Sequence, residues 1–335
     1  MFNREWYKIY IDGVHWSESD NKPLVDHIHK QLHKWEVAVN TSGTTGHPKP
    51  VVHTPTFIKN VSDWNRKFFQ LDKQSKMFSV YSPKGIAFTT MSLYPCVIAQ
   101  CELYIETDLT HYVDRFMQVQ PTHTLVLPNV WKALHKNRRW VPMNFKSCEQ
   151  VLVGSDYTPV GMLEDLRAKG AKSVLNVYGS TEVPPCILIS EQPNVYRLDS
   201  NPLADVRVEN DEIVCKWRWQ KQYWHSGDLV KDLGDGYYEL TGRRANMFKM
   251  GDCGTRVYPE QVEQFVVKAG AHLALCRKVD ENCTIYYTGD QRVDEPHVIR
   301  HALGGLNPGK VKFVRVQNIR VDDNLRKVDR TQTFE

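Results

Sequence analysis

The sequence lacks any apolar run approaching the ~18 residues that a membrane-spanning helix needs, so a transmembrane helix is excluded. It also lacks a C-x-x-C pair. Its eight cysteines stand at 96, 101, 148, 186, 215, 253, 276 and 283, and that spacing gives a zinc-finger framework no support. Charge of one sign is scarce. With 43 Lys and Arg against 39 Asp and Glu the net charge is +4, short of the basic signature of many nucleic-acid binders. The densest basic spots, His135-Lys136-Asn137-Arg138-Arg139 and 310–315, read as solvated faces, and no nucleic-acid partner is expected. There is no internal repeat and no low-complexity tract. The opening residues Met1-Phe2-Asn3-Arg4-Glu5-Trp6 lack the apolar core of a secretion signal, so a cytoplasmic, reducing location is expected. Most of the cysteines then read as small core residues. An aromatic share of 11%, with nine Trp, excludes wholesale disorder.

What is present is an alternation of short apolar runs and amphipathic stretches over 335 residues, a length that suggests two domains. Leu24, Ile28 and Leu32 recur at helical spacing. A short strand over 36–40 runs into a Ser/Thr/Gly loop at 41–49. A helix follows over 54–69, capped by Thr54 or Thr56. Strands are expected at 77–81, 101–105, 124–127, 150–153 and 173–177, with helices between them. One of these helices spans 158–169 and ends on Gly170. Such alternation implies parallel βαβ units. From about residue 190 the pattern turns to antiparallel hairpins at 211–219 and 237–241, with Gly234-Asp235-Gly236 as a turn. Beyond 242–244 a helix (259–269), two strands (273–277, 284–288), a helix (295–303) and a last strand (313–316) read as a separate unit. The expected fold is α/β: a large N-terminal domain of alternating strands and helices with a β-rich end, plus a small α+β C-terminal domain.

The strongest local signal is Asn40-Thr41-Ser42-Gly43-Thr44-Thr45-Gly46-His47-Pro48-Lys49-Pro50-Val51. Gly43 and Gly46 let backbone N–H groups turn toward an anion, four hydroxyls add donors, and Lys49 adds a mobile positive charge. Together these are a device for cradling phosphates. The P-loop spacing is absent, since the glycines are three apart and no Ser or Thr follows Lys49. A polar surface loop is the plain alternative for this stretch taken alone.

The loop resembles the phosphate-binding signature of the AMP-forming acyl-CoA synthetase, luciferase and nonribosomal-peptide adenylation superfamily. Further segments resemble that family's motifs in the same order: Asn176-Val177-Tyr178-Gly179-Ser180-Thr181-Glu182, His225-Ser226-Gly227-Asp228, Gly242-Arg243 leading to Lys249, and Arg256-Val257-Tyr258-Pro259-Glu260-Gln261-Val262-Glu263. Near the end, Leu325-Arg326-Lys327-Val328-Asp329-Arg330 resembles the tail that carries the family's catalytic lysine. The resemblance covers roughly 36–330. It implies that Thr41, Ser42, Gly43, Thr44, Thr45, Gly46 and Lys49 hold ATP phosphates, and that Gly154, Ser155 and Asp156 line adenine. It also implies that Tyr178, Gly179 and Ser180 form the adenine-stacking turn, while Asp228 and Arg243 hold the ribose. Thr181 would donate to the α-phosphate and Glu182 would ligate Mg²⁺, a hard-oxygen role. Lys327 would stabilise the charge that builds up as a carboxylate attacks the α-phosphate. Lys310 is assigned to the surface. Each of these residues has a plain structural alternative when taken singly.

Several positions depart from the family pattern. Only about forty residues precede the phosphate loop, so a shortened member is expected. The usual substrate loop is replaced by Ser82-Pro83-Lys84-Gly85; Lys84 beside Gly85 is either a solvated lysine, the plainer reading, or a partner for a second carboxylate, which favours a dicarboxylic or aromatic acid such as o-succinylbenzoate. Ala245 stands where an acidic hinge residue is usual. The thioester-step loop, with Lys249, Gly251 and Gly254, is about two residues long for the pattern, and Arg326 replaces the glycine before Lys327. The resemblance implies a large domain over 1–241, a hinge over 242–245 and a mobile lid over 246–335. The expected activity is conversion of a small carboxylic acid to acyl-AMP with ATP and Mg²⁺, then transfer to coenzyme A. Transfer to a carrier-protein pantetheine, or a degraded nucleotide-binding protein, are the alternatives. A homodimer stays open.

Overall fold

A computed structural model describes residues 7–35, 37–40, 50–83, 85–250, 255–303, 306–321 and 328–334. Its main sheet has eight strands in the spatial order Leu188–Ser190, Ser173–Tyr178, Gln150–Val153, His123–Val126, Lys76–Ser79, Glu102–Ile105, Ile9–Ile11 and Val14–His15. The six inner strands run parallel, and the two edge strands run antiparallel to their neighbours. The run His123–Val126 is buried along its whole length, as expected of a parallel strand covered on both faces. The helix Lys22–Lys34 buries Leu24, Val25, Ile28 and Leu32 on one face, matching their spacing. In the helix Pro55–Phe68, Thr54 accepts from the Phe57 N–H and proline sits in the first turn, so Thr54 is the cap.

Two expectations need correction. The strand Val37–Asn40 pairs antiparallel with Pro50–His53, a strand absent from the sequence reading, so the loop 41–49 joins a two-stranded ribbon. The helix expected over 158–169 begins only at Met162. Thr158 is drawn into a buried amide network instead: its N–H donates to Asn194 Oδ1 at 2.8 Å and its hydroxyl accepts from Asn176 Nδ2 at 2.8 Å. The helix then ends where expected, with Gly170 at φ +104° just beyond it.

A five-stranded antiparallel sheet follows, in the order Val195–Arg197, Tyr237–Arg243, Trp224–Gly234, Glu212–Trp217 and Ala204–Glu209. Asp235 and Gly236 both have positive φ, the conformation a tight hairpin turn demands. After the ribbon Phe248–Met250/Thr255–Val257 comes an α+β unit. Strands Leu273–Val279 and Asn282–Thr288 form a hairpin, the helix Glu295–Ala302 leads on to the strand Val311–Arg315, and the helix Pro259–Lys268 packs against the first strand. One apolar core runs from Ile9 to Val230 and a second from Met250 to Leu303. Lys310 is exposed, as expected. Cys96, Cys101, Cys148, Cys186, Cys215, Cys276 and Cys283 are buried free thiols. Among the described residues no helix is long and apolar enough to cross a membrane.

Candidate active site

The strands Gln150–Val153 and Ser173–Tyr178 end side by side, and the chain beyond each tip is shaped by close backbone approach. A Cβ on Gly154 would lie 2.7 Å from the Val177 carbonyl oxygen. Ser155 adopts φ +75°, and Asp156 is then held by the Tyr157 N–H at 2.7 Å and by Asn129 Nδ2 at 3.1 Å. A Cβ on Gly179 would lie 2.5 Å from Pro185 Cα, so only glycine fits this turn.

Tyr178 ends its strand with the hydroxyl donating to Asp228 Oδ2 at 2.6 Å. Asp228 lies on Trp224–Gly234 directly across from Arg243, whose Nε is 2.7 Å from Asp228 Oδ1. The register of the hairpin therefore makes the ion pair. The Asp228 N–H donates to Ser226 Oγ at 2.9 Å, which fixes the carboxylate further. Burial opposes the Arg243 charge, but Asp228 leads the surrounding anions that hold its pKa above the ordinary value. Burial, then Asp228, push the Tyr178 phenol well up.

A cavity of about 670 Å³ opens over this unit, lined by Ser155, Asp156, Tyr178, Gly179, Asp228 and Arg243. Six residues singled out from sequence thus share one wall. The facing wall comes from the C-terminal part and holds Glu260, Glu263 and Arg330. Arg330 meets Glu263 in a fork, Nη1 to Oε1 at 2.8 Å and Nη2 to Oε2 at 2.7 Å. The Cys276 N–H adds a third bond to Glu263 at 2.8 Å. Glu260 bridges Arg330 at 3.3 Å and Asn246, and its Oε2 would lie 2.4 Å from a Cβ on Gly242. Lys132, from the helix Pro128–Lys136, also lines the space.

The other expected residues lie elsewhere. Thr181 and Glu182 are half-buried in the turn after Gly179 and do not line the cavity. Their backbone is pinned: the Thr181 carbonyl accepts from His53 Nε2 at 2.7 Å and the Glu182 carbonyl from Gln220 Nε2 at 3.0 Å. The Ser180 N–H donates to the Val183 carbonyl at 2.8 Å. Gly154 sits behind the wall, and Gly85 lies in a turn whose N–H donates to the Ser82 carbonyl at 2.9 Å, away from the cavity. Lys249 is exposed on its short strand. Thr41, Ser42, Gly43, Thr44, Thr45, Gly46, Lys49, Lys84, Gly251, Gly254 and Lys327 lie outside the described residues. Among the described residues no group of three or more His, Cys, Asp or Glu is gathered as a metal site. Mg²⁺ held against phosphates takes only one or two protein carboxylates, and Glu182 on its pinned turn is of that type.

Sequence reasoning assigned no role to Glu260, Glu263 or Arg330. One signal was available: Glu260 and Glu263 are three apart on a helix, hence on one face, and two carboxylates turned inward require a cation.

The chain thus carries a cavity of about 670 Å³, lined by charged and apolar side chains alike, between the strand ends of a parallel sheet and a C-terminal α+β unit. Residues 12–213 match the model of the family described as AMP-binding enzyme, more than half of the chain, and the chain belongs to that family. The match ends before Asp228, Arg243 and the tail. The chain is 27% identical over 277 residues to the medium/long-chain-fatty-acid–CoA ligase FadD8 of Mycobacterium tuberculosis, covering 70% of this chain and 47% of that one. It is 28% identical over 162 residues to the 2-succinylbenzoate–CoA ligase of Escherichia coli, covering 43% and 34%. The chain thus spans about half or less of the length of these relatives. Its fold is similar to that of O-succinylbenzoate coenzyme A synthetase (MenE) of Bacillus subtilis in complex with AMP, with a TM-score of 0.70 at 18% identity over 89% of this chain and 68% of that one.

Proposed function

We propose that this chain activates a carboxylic acid with ATP and passes the acyl group to coenzyme A. The observation that carries the reading is the Tyr178–Asp228–Arg243 unit facing the cavity in a chain of the AMP-binding enzyme family. Asp228 Oδ1 is held by Arg243 Nε, and Oδ2 accepts from the Tyr178 hydroxyl and, at 3.5 Å, from Arg243 Nη2, so the lone pair left on Oδ1 is the one best placed to accept from a ribose hydroxyl. Gly179 and the Tyr178 turn bound the base, and Asp156, fixed by two donors, lines the same wall. The loop carrying Thr41, Ser42, Gly43, Thr44, Thr45, Gly46 and Lys49 would hold the β- and γ-phosphates. Glu182 would hold Mg²⁺, which would neutralise phosphate charge. A carboxylate oxygen of the acid attacks the α-phosphorus and pyrophosphate leaves. Thr181 and Lys327 would take up the charge on the α-phosphoryl oxygens. The thiol sulfur of coenzyme A then attacks the acyl carbon, AMP leaves and the thiol proton passes to solvent. Residues 242–245 would serve as the hinge between a large domain over 1–241 and a lid over 246–335, bringing Lys249, Gly251 and Gly254 in for the second step.

Carboxylate-dependent ATP–pyrophosphate exchange tests the reading. Exchange with at least one acid of a broad panel is expected, with thioester formed on adding coenzyme A. ATP binding without exchange for any acid would mean a non-catalytic nucleotide binder, and exchange without thioester would mean a different acceptor such as a carrier-protein pantetheine. Lys327→Ala is expected to abolish exchange while AMP binding persists.

A further inference from the structure

Lys132 is the cation on the cavity wall whose charge nothing described absorbs. Among the described residues no hydrogen bond, and no ion pair within 4.0 Å, holds its ammonium. Two carboxylates act on it through space, Asp156 and Glu263. Both are already engaged. Asp156 accepts from Asn129 and the Tyr157 N–H, and Glu263 accepts the Arg330 fork and the Cys276 N–H. Burial lowers the Lys132 pKa against the pull of those two acids, so the site penalises the very charge it holds. A half-buried ammonium without a close partner is an unfavourable arrangement that an incoming anion relieves. Val177, Tyr196 and Leu240 line the same cavity and give it apolar surface that can hold a hydrocarbon spacer.

We propose that Lys132 pairs with a second carboxylate of the acid, so that the substrate is a dicarboxylate whose other carboxylate reacts. The proposed reaction assigns the ribose to Asp228 and Arg243 and the ATP phosphates to the loop 41–49 and Mg²⁺, so the acid is the anion for which no cation has yet been named. This inference rests on the acid-activating reading above and replaces Lys84 with a cation whose position in the cavity is described.

The test pairs acids of matched shape, terephthalate with benzoate and glutarate with pentanoate, in pyrophosphate exchange. Wild type is expected to favour the dicarboxylate of at least one pair. In Lys132→Gln the ratio of kcat/KM, dicarboxylate over monocarboxylate, falls by about tenfold to about a hundredfold, the range for losing a charged hydrogen bond. Lys132→Arg keeps most of the preference. An unchanged ratio in Lys132→Gln overturns the proposal, as does an effect confined to the KM for ATP or for coenzyme A, whose phosphates are the other anion sources. Thermal shift with each acid, without ATP, gives a reading that does not depend on activity. A dicarboxylate-specific shift lost in Lys132→Gln supports the subsite even if no exchange occurs, in which case only the catalytic reading fails. No such shift and no dicarboxylate preference overturns the subsite alone.

Discussion

Replacing Arg330 with Met would strand a buried carboxylate, and the consequence should depend on pH. Arg330 contacts Glu263 at 2.8 and 2.7 Å and Glu260 at 3.3 Å. Without it, Glu263, only 8% exposed, keeps one backbone donor and a like-charged neighbour. Breaking a buried pair by removing one partner costs about 3–5 kcal/mol. The Arg330 side chain is 26% exposed, so the lower end, about 3 kcal/mol, is appropriate. Burial already pushes the Glu263 carboxyl from 4.5 up to about 7, against the pull of Arg330. Removing Arg330 must push it further. A carboxyl with a raised folded-state pKa contributes its full stability below about 4.5, and that contribution is lost as pH rises through the folded value. Arg330→Met should therefore be mild at pH 5, where Glu263 is protonated, and severe at pH 8. Urea unfolding at both values measures this. The double variant Arg330→Met/Glu263→Gln, which removes both charges, should recover most of the loss at pH 8. An equal penalty at pH 5 and pH 8, or a penalty below about 1 kcal/mol at pH 8, would refute the reasoning.

Three further outcomes are expected. Gly179→Ala puts a Cβ against Pro185 backbone, which cannot rotate aside, and should cost about 1–3 kcal/mol in urea unfolding and weaken AMP binding by calorimetry; unchanged values for both would contradict the geometry. Asp228→Asn removes the charge between Tyr178 and Arg243 and should weaken AMP binding by about 1.5–3 kcal/mol, and an unaltered Kd would detach Asp228 from the nucleotide. Burial, then Asp12, push Glu106 from 4.5 up to about 7, so stability should fall by up to about 3 kcal/mol as pH rises from 4.5 to 7. In Glu106→Gln that slope should flatten in a series of thermal melts.

The fold was legible wherever the information was local. The run at 150–153 matches its strand to the residue, and Thr54 caps the helix it precedes, because burial on both faces and a hydroxyl before proline leave marks in a few consecutive residues. The strands Ile9–Ile11 and Pro50–His53 went unseen for the opposite reason. One has three residues and pairs with Glu102–Ile105, far along the chain, while the other starts with proline and pairs with Val37–Asn40 across the loop 41–49. The late start of the helix at Met162 has the same origin. Thr158 would cap a helix if left alone, but Asn176 and Asn194, eighteen and thirty-six residues away, claim its polar groups first.

The site divides along the same line. Gly154, Gly179, Asp228 and Arg243 stand in recognisable strings because each is constrained by its immediate backbone: a close approach in the first two, a hairpin register in the others. Glu260, Glu263 and Arg330 also stand in such strings, yet their pairing stayed hidden. A buried carboxylate states in sequence that a cation is needed but not which residue supplies it, and the supplier lies sixty-seven positions on. Arg330 answers that demand within the chain. Lys132 presents the converse case, a cation lining the same cavity from the helix Pro128–Lys136, with the acids that act on it engaged by others. Asp156 and Glu263, the carboxylates that act on this half-buried ammonium among the described residues, are each engaged by other donors, and that is the ground for looking to the contents of the cavity for its counter-charge.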